Sequence, residues 1–151
     1  MKIRLYHANL ALLGEETPLV RGEVHTDGDR ITYAGSDAPA QDAAFDREID
    51  CGGGVLLPGF CNAHSHAAMT FLRSLADDLP LQAWLTQKVF PGEAKLTEED
   101  AYVFTKLAIL EYLSGGITSM FDMYMHRDAV AAAAMDAGFR AVIMDGANDY
   151  G

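Results

Sequence analysis

The run Leu56-Leu57-Pro58-Gly59-Phe60-Cys61-Asn62-Ala63-His64-Ser65-His66 constrains the fold more than any other stretch of the chain. It reads as a buried strand that ends in a pair of histidines. Side chains alternate between the two faces of a strand. Phe60, Asn62, His64 and His66 therefore share one face, and Gly59, Cys61, Ala63 and Ser65 share the other. The second set is small and suits close packing against a helix layer. Two imidazoles two residues apart at a strand's end can hold one metal ion, because histidine nitrogens are common ligands for zinc and related divalent metals. A bare His-x-His pair carries little weight. Here Gly52-Gly53-Gly54, an apolar run and Pro58-Gly59 place the pair at the end of a strand entering a core.

The periodicity after the pair alternates between helix and strand. Thr97-Glu98-Glu99-Asp100 reads as an N-cap followed by acids in the first helical turn. Val103, Leu107 and Leu110, with Phe104 and Ala108, form an apolar stripe at helical spacing, which Gly115-Gly116 ends. Ile117 to Asp122 reads as a strand, Asp128 to Ala137 as an alanine-rich helix, and Phe139 to Met144 as a third strand. This order predicts parallel βαβ units. Before the pair the pattern is short strands. Ile3 and Leu5 alternate with Lys2, Arg4 and Tyr6, and Asn9 to Leu13 form a second strand. Val20 to Thr26 and Arg30 to Ala34 make a hairpin around Asp27-Gly28-Asp29. Phe45 to Asp50 reads as an edge strand.

Pro58-Gly59-Phe60-Cys61-Asn62-Ala63-His64-Ser65-His66 resembles the first barrel strand of the amidohydrolase superfamily. Ala67-Ala68-Met69-Thr70, the run 75–81, Trp84-Leu85 and Pro91-Gly92-Glu93-Ala94-Lys95-Leu96-Thr97 resemble one branch of it. That branch holds the methylthioadenosine/S-adenosylhomocysteine deaminases and related chlorohydrolases. The resemblance is most specific over 55–125. It implies an α/β fold: a partial (β/α)8 TIM barrel, with the first three strands in 58–151, preceded by part of a small β-sandwich in 1–57. A complete barrel takes about 250 residues, so the expectation is an N-terminal portion of a longer protein. Its unpaired strand edges are expected to associate.

The resemblance also implies chemistry. His64 and His66 would bind the catalytic metal, one divalent ion, Zn2+ first and Fe2+ as the alternative. A metal ion lowers the pKa of water from about 15.7 to roughly 7, and hydroxide then attacks the amidine carbon of a purine while ammonia leaves. The family draws a third histidine, an aspartate and a proton-transfer glutamate from later strands, so no catalytic residue is expected within this chain and the chain alone is expected to be inactive. Glu93 matches the glutamate that binds ribose hydroxyls in the nucleoside-deaminating branch; a carboxylate can accept both hydrogen bonds of a vicinal diol. Asp145 stands where that branch carries a substrate-reading arginine, which puts a carboxylated substrate such as S-adenosylhomocysteine in doubt. Adenosine, 5'-deoxyadenosine and methylthioadenosine stay open. So do a chlorohydrolase, a deaminase of guanine, cytosine or a triazine, and a non-catalytic domain that keeps the pair as a metal-binding remnant.

Other polar groups read more plainly. His7 and His25 are expected at the surface. His126 and Asp122 could approach the pocket without being ligands, and Met123, Met125 and Met144 read as core filler. Cys51 and Cys61 fit no Cys-x-x-Cys pattern and read as buried, reduced thiols of a cytoplasmic protein. The balance of 22 acidic against 11 basic residues, net −11, disfavours a nucleic-acid partner. No apolar run reaches the ~18 residues of a membrane span. The expected partner is a small-molecule purine nucleoside, with homo-oligomers in the full-length form.

Overall fold

The computed structural model describes residues 1–11, 19–36 and 44–144. The chain divides into two compact units, Met1–Pro58 and Gly59–Gly151. Among the described residues no helix is long and apolar enough to cross a membrane.

The first unit is a mixed sheet. Strand β1 (Lys2–Leu10) pairs antiparallel with β2 (Val20–Asp27), which pairs antiparallel with β3 (Arg30–Gly35). On its other edge β1 carries β4 (Arg47–Asp50) and then β5 (Val55–Leu56), both parallel. The hairpin closes on the pair Asp27–Arg30, with Gly28 at φ 60 in the turn. Two expectations are corrected here. Lys2 to Leu10 is one strand rather than two, because a bulge between Leu5 and Ala8, with His7 at φ 54, carries the pairing through. Leu56 to His66 is not one strand: Val55–Leu56 pairs with β1, and Pro58, which lacks an amide donor, separates it from the strand that bears the histidines.

Ala8, Leu10 and Glu23 are buried in this unit. The Glu23 carboxylate accepts from Arg4 Nε at 2.9 Å and from a second Arg4 nitrogen at 2.6 Å through Oε2. Its Oε1 lies 2.8 Å from His25 Nε2. His25 is thus not a free surface group: its ring sits against Tyr33 and Phe45, with centroids 5.1 and 4.7 Å away. His7 is half-exposed and faces Asp50 at 3.2 Å. Burial pushes the Glu23 carboxyl up, but the bonds from Arg4 and His25 outweigh it and hold Glu23 below the ordinary range. A lowered native value gives stability that is present above the unfolded value and lost as pH falls through the native one. Denaturant unfolding should therefore show this unit weakening as pH falls through the carboxylate range. Glu23→Gln should flatten that dependence and cost about 2–3 kcal/mol at neutral pH, less than a fully orphaned charge because Glu48 still holds Arg4. An unchanged pH profile in the variant contradicts this account.

The second unit stacks helices on a parallel sheet of order β6-β7-β8: β6 (Phe60–Ser65), β7 (Ile117–Met123) and β8 (Arg140–Met144). After β6 come a 3-10 turn (Ala67–Leu72) and a helical run made of α1 (Leu81–Trp84), a π turn (Leu85–Val89) and α2 (Phe90–Glu93). Helix α3 (Glu98–Ser114) leads to β7, and α4 (Arg127–Asp136) leads to β8. Thr97 caps α3 reciprocally: its Oγ1 accepts from Asp100 N at 3.1 Å, and Asp100 Oδ2 accepts from Thr97 N at 3.0 Å. Gly116, at φ 79, allows the turn from α3 into β7. The core joins Ala67, Ala108, Ile109, Met120, Val130 and Phe139.

The buried face of α3 differs from the one its large side chains suggest. Ala101, Thr105, Ala108 and Ile109 are buried, whereas Val103, Leu107 and Leu110 are 53%, 41% and 62% exposed. Small residues let α3 approach the 67–72 turn and α4 closely, and Ile109 is the one large aliphatic of the helix turned fully inward. Cys61 is exposed rather than buried, and Cys51 is half-buried. On β6 the helix layer reaches Ser65, whose Oγ is 2.8 Å from the Tyr112 hydroxyl of α3, while Cys61 and Ala63 stay open.

Candidate metal centre

Strand β6 ends at Ser65, so His64 is its penultimate residue and His66 the first residue beyond it. The two rings converge. Their Nε2 atoms are 3.2 Å apart, and the rings stand nearly perpendicular at 87°. Two nitrogens bound tetrahedrally to one zinc at about 2.0–2.1 Å lie roughly 3.3–3.4 Å apart. The observed spacing therefore fits a shared ion without moving either backbone.

The His66 tautomer follows from its other nitrogen. Nδ1 lies 2.6 Å from the carbonyl oxygen of Met123. A carbonyl can only accept, so Nδ1 carries the proton, and in the neutral ring Nε2 presents its lone pair toward His64. This backbone contact is the kind of outer interaction that orients a ligating histidine. The pair opens onto a hollow of about 100 Å³, lined also by Phe121, Met123 and Met144. Met123, Met125 and Met144 are 41%, 40% and 40% exposed, so they are not core filler; Met120 takes that place at 2%.

Below the pair, Asp122 is fully buried, and its Oδ2 accepts the Ala67 amide at 2.6 Å. Burial raises its carboxyl above the ordinary range, against the opposing pull of the Ala67 amide, the Ser65 hydroxyl and His66. Two residues on, Tyr124 sets its ring 6.0 Å from that of His66. Its hydroxyl is buried with no partner inside hydrogen-bond length among the described residues. Burial, and after it the Glu93 carboxylate, push that hydroxyl far above the ordinary phenol range. Tyr124 therefore neighbours His66 and feels the Glu93 carboxylate.

Glu93 closes α2 and is half-buried. A Cβ on Gly92 would meet Phe71 at 3.2 Å and Leu72 at 3.3 Å, so the glycine lets this turn lie close on the 67–72 segment. Pro91-Gly92-Glu93 is thus packed against the stretch that directly follows the histidines. His126 is taken elsewhere: its Nε2 is 3.0 Å from the Leu96 carbonyl, tying the loop before α3 to the start of α4. Val89 is buried, Trp84 and Leu85 are half-buried, and Phe90 is exposed. Asp145 lies outside the described residues. Among the described residues no third histidine, cysteine or acid joins the pair in a metal-holding group.

The sequence reading singled out neither Tyr124 nor the Met123 carbonyl. A backbone carbonyl leaves no trace in residue identity. The signal for its neighbour was a carboxylate in the alternation of β7, where Met120 and Asp122 both face inward.

Residues 55–149 match the model of the amidohydrolase family. A 5-methylthioadenosine/S-adenosylhomocysteine deaminase from Symbiobacterium thermophilum is 44% identical over 137 residues, covering 91% of this chain and 31% of that protein. A 5'-deoxyadenosine deaminase from Methanobrevibacter smithii is 39% identical over 132 residues, covering 87% and 30%. A solved adenosine deaminase from Xanthomonas campestris with bound zinc superposes with a TM-score of 0.78 at 31% identity, over 93% of this chain and 32% of that one. The chain thus spans about a third of the length of the curated relatives it matches.

Proposed function

The chain belongs to the amidohydrolase family, and from that premise we propose that it supplies the metal-holding and sugar-binding side chains of a hydrolase that deaminates an adenine nucleoside. The parallel strands β6, β7 and β8 are read as the first three of a (β/α)8 barrel, and the β1–β5 sheet as part of a small sandwich. The observation that carries the reading is the convergent histidine pair, with Nε2 atoms 3.2 Å apart and His66 held by the Met123 carbonyl.

His64 and His66 would hold the divalent ion through Nε2. Bound there, such an ion makes hydroxide available near neutral pH by lowering the pKa of water from about 15.7 to roughly 7. The chain's own residues then orient the substrate. Glu93, with two acceptor oxygens, suits the vicinal hydroxyls of a ribose. The Tyr124 ring lies 6.0 Å from that of His66, and its buried hydroxyl, without a hydrogen-bond partner among the described residues, offers a donor beside the metal end. Phe121, Met123 and Met144 give the hollow an apolar wall suited to a flat heterocycle. Without an arginine at Asp145, substrates lacking an amino-acid tail are favoured, among them adenosine, 5'-deoxyadenosine and methylthioadenosine.

A catalytic zinc usually takes three protein ligands and one open position. We therefore expect no nucleoside turnover from the isolated 151-residue chain with added zinc. Joined in frame to the remaining two thirds of the Symbiobacterium relative, it should support ammonia release from adenine nucleosides. The tail-free substrates should be preferred over S-adenosylhomocysteine. Turnover by the chain alone, or a zinc-loaded chimaera active on triazines and silent on nucleosides, contradicts the proposal.

A further inference from the structure

We infer that Asp122 is a positioning residue for the imidazole of His66, acting through the backbone amide of Ala67. The inference rests on reading His64 and His66 as metal ligands. His66 is the N-cap of the 67–72 turn, yet it makes no side-chain capping bond. The cap comes from across the sheet, where the Asp122 carboxylate accepts the Ala67 amide at 2.6 Å. The next residue of β7, Met123, then takes the His66 Nδ1 proton on its carbonyl at 2.6 Å. Two consecutive residues of one strand thus grip His66 twice. One grip fixes the backbone leaving its Cα, and the other fixes its ring and tautomer.

The anchor is itself rooted. Asp122 stands in register opposite Ser65, whose hydroxyl lies 2.8 Å from the Tyr112 hydroxyl of α3, and the carboxylate's other oxygen, Oδ1, is buried with no hydrogen-bond partner among the described residues. A fully buried carboxylate with a single hydrogen bond is costly to keep. Here its strongest contact goes to the residue that follows the ligand. Without it, the backbone after His66 is released, Nδ1 loses its fixed distance to Met123, and Nε2 no longer faces His64.

The test uses the 151-residue chain with labelled histidine nitrogens. In the unmodified chain, His66 should be a single Nδ1–H tautomer, and the Ala67 amide should be strongly protected from exchange. Asp122→Ala should give a mixed tautomer and a 10–100-fold loss of zinc affinity, read by competition with a chromophoric chelator; Asp122→Asn keeps an acceptor oxygen and should stay within about threefold. A purely structural role would lower stability without moving the tautomer. If Asp122→Ala folds and keeps both tautomer and affinity, the inference is wrong. If it does not fold, a mixed tautomer or an unprotected Ala67 amide in the unmodified chain overturns it equally. A chain with the expected tautomer and no zinc binding would instead sink the metal reading and leave the positioning intact.

Discussion

Removal of either imidazole should nearly abolish metal binding by this chain. His64→Ala or His66→Ala is expected to weaken zinc on the order of 100-fold, since each loses one bond and the advantage of a second ligand already held in place. The double variant should hold no stoichiometric zinc. The reasoning is geometric. The Nε2 atoms already sit 3.2 Å apart, so an ion gains both bonds without the cost of drawing two side chains together. His7→Ala and His126→Ala serve as controls, because those rings are engaged with Asp50 and with the Leu96 carbonyl. Metal analysis after dialysis, with calorimetric titration, provides the measurement. A double variant that still carries one equivalent of zinc would remove the basis for the hydrolase reading.

The largest structural effect is expected at Gly22. A Cβ there would fall 1.8 Å from the Gly35 carbonyl oxygen and 2.6 Å from its carbonyl carbon. Both belong to the backbone of the neighbouring strand, which cannot rotate away as a side chain can. Leu10 Cδ1 closes the other side at 3.1 Å. Gly22→Ala must therefore push β3 off β2, next to the register pair Glu23–Gly35. About 3 kcal/mol or more of destabilisation is expected, at the upper end for overpacking. Gly28→Ala gives the contrast. Its φ is 60 but a Cβ would meet nothing, so only the conformational cost of about 1 kcal/mol applies. Denaturant unfolding of the two variants, with amide exchange across the hairpin, separates the cases. A Gly22→Ala protein as stable as Gly28→Ala would show that β3 yields more readily than its pairing implies.

Much of the second unit was legible because its signals are local. Thr97 and Asp100 close a reciprocal cap within four residues, and the glycines after α3 mark its end. The histidine pair was legible for the same reason. The misreadings concern features set by distant partners. Helix α3 is apolar on more than one side, so composition could not say whether Ala101 and Ala108 or Leu107 and Leu110 face inward; the approach of the 67–72 turn decides it. His25 looked like any polar residue in an alternating strand until Glu23 and Phe45 surrounded it. The continuity of β1 depends on a left-handed His7, which side-chain pattern does not announce. At the site, the support of His66 comes from a carbonyl and from a carboxylate more than fifty positions away.

The π turn at Leu85–Val89 has an implication for how this region can change over time. Such a turn arises when one extra residue is accommodated in a helix. Removing a single residue between Leu85 and Val89 would rewind the turn to α geometry and leave the later side chains on the faces they hold now. Glu93, four residues past the turn, would keep its side of the helical run. The turn is thus where chain length can change by one residue at little cost to the carboxylate, whereas a deletion between Phe90 and Glu93, in regular α geometry, would rotate it by about 100°.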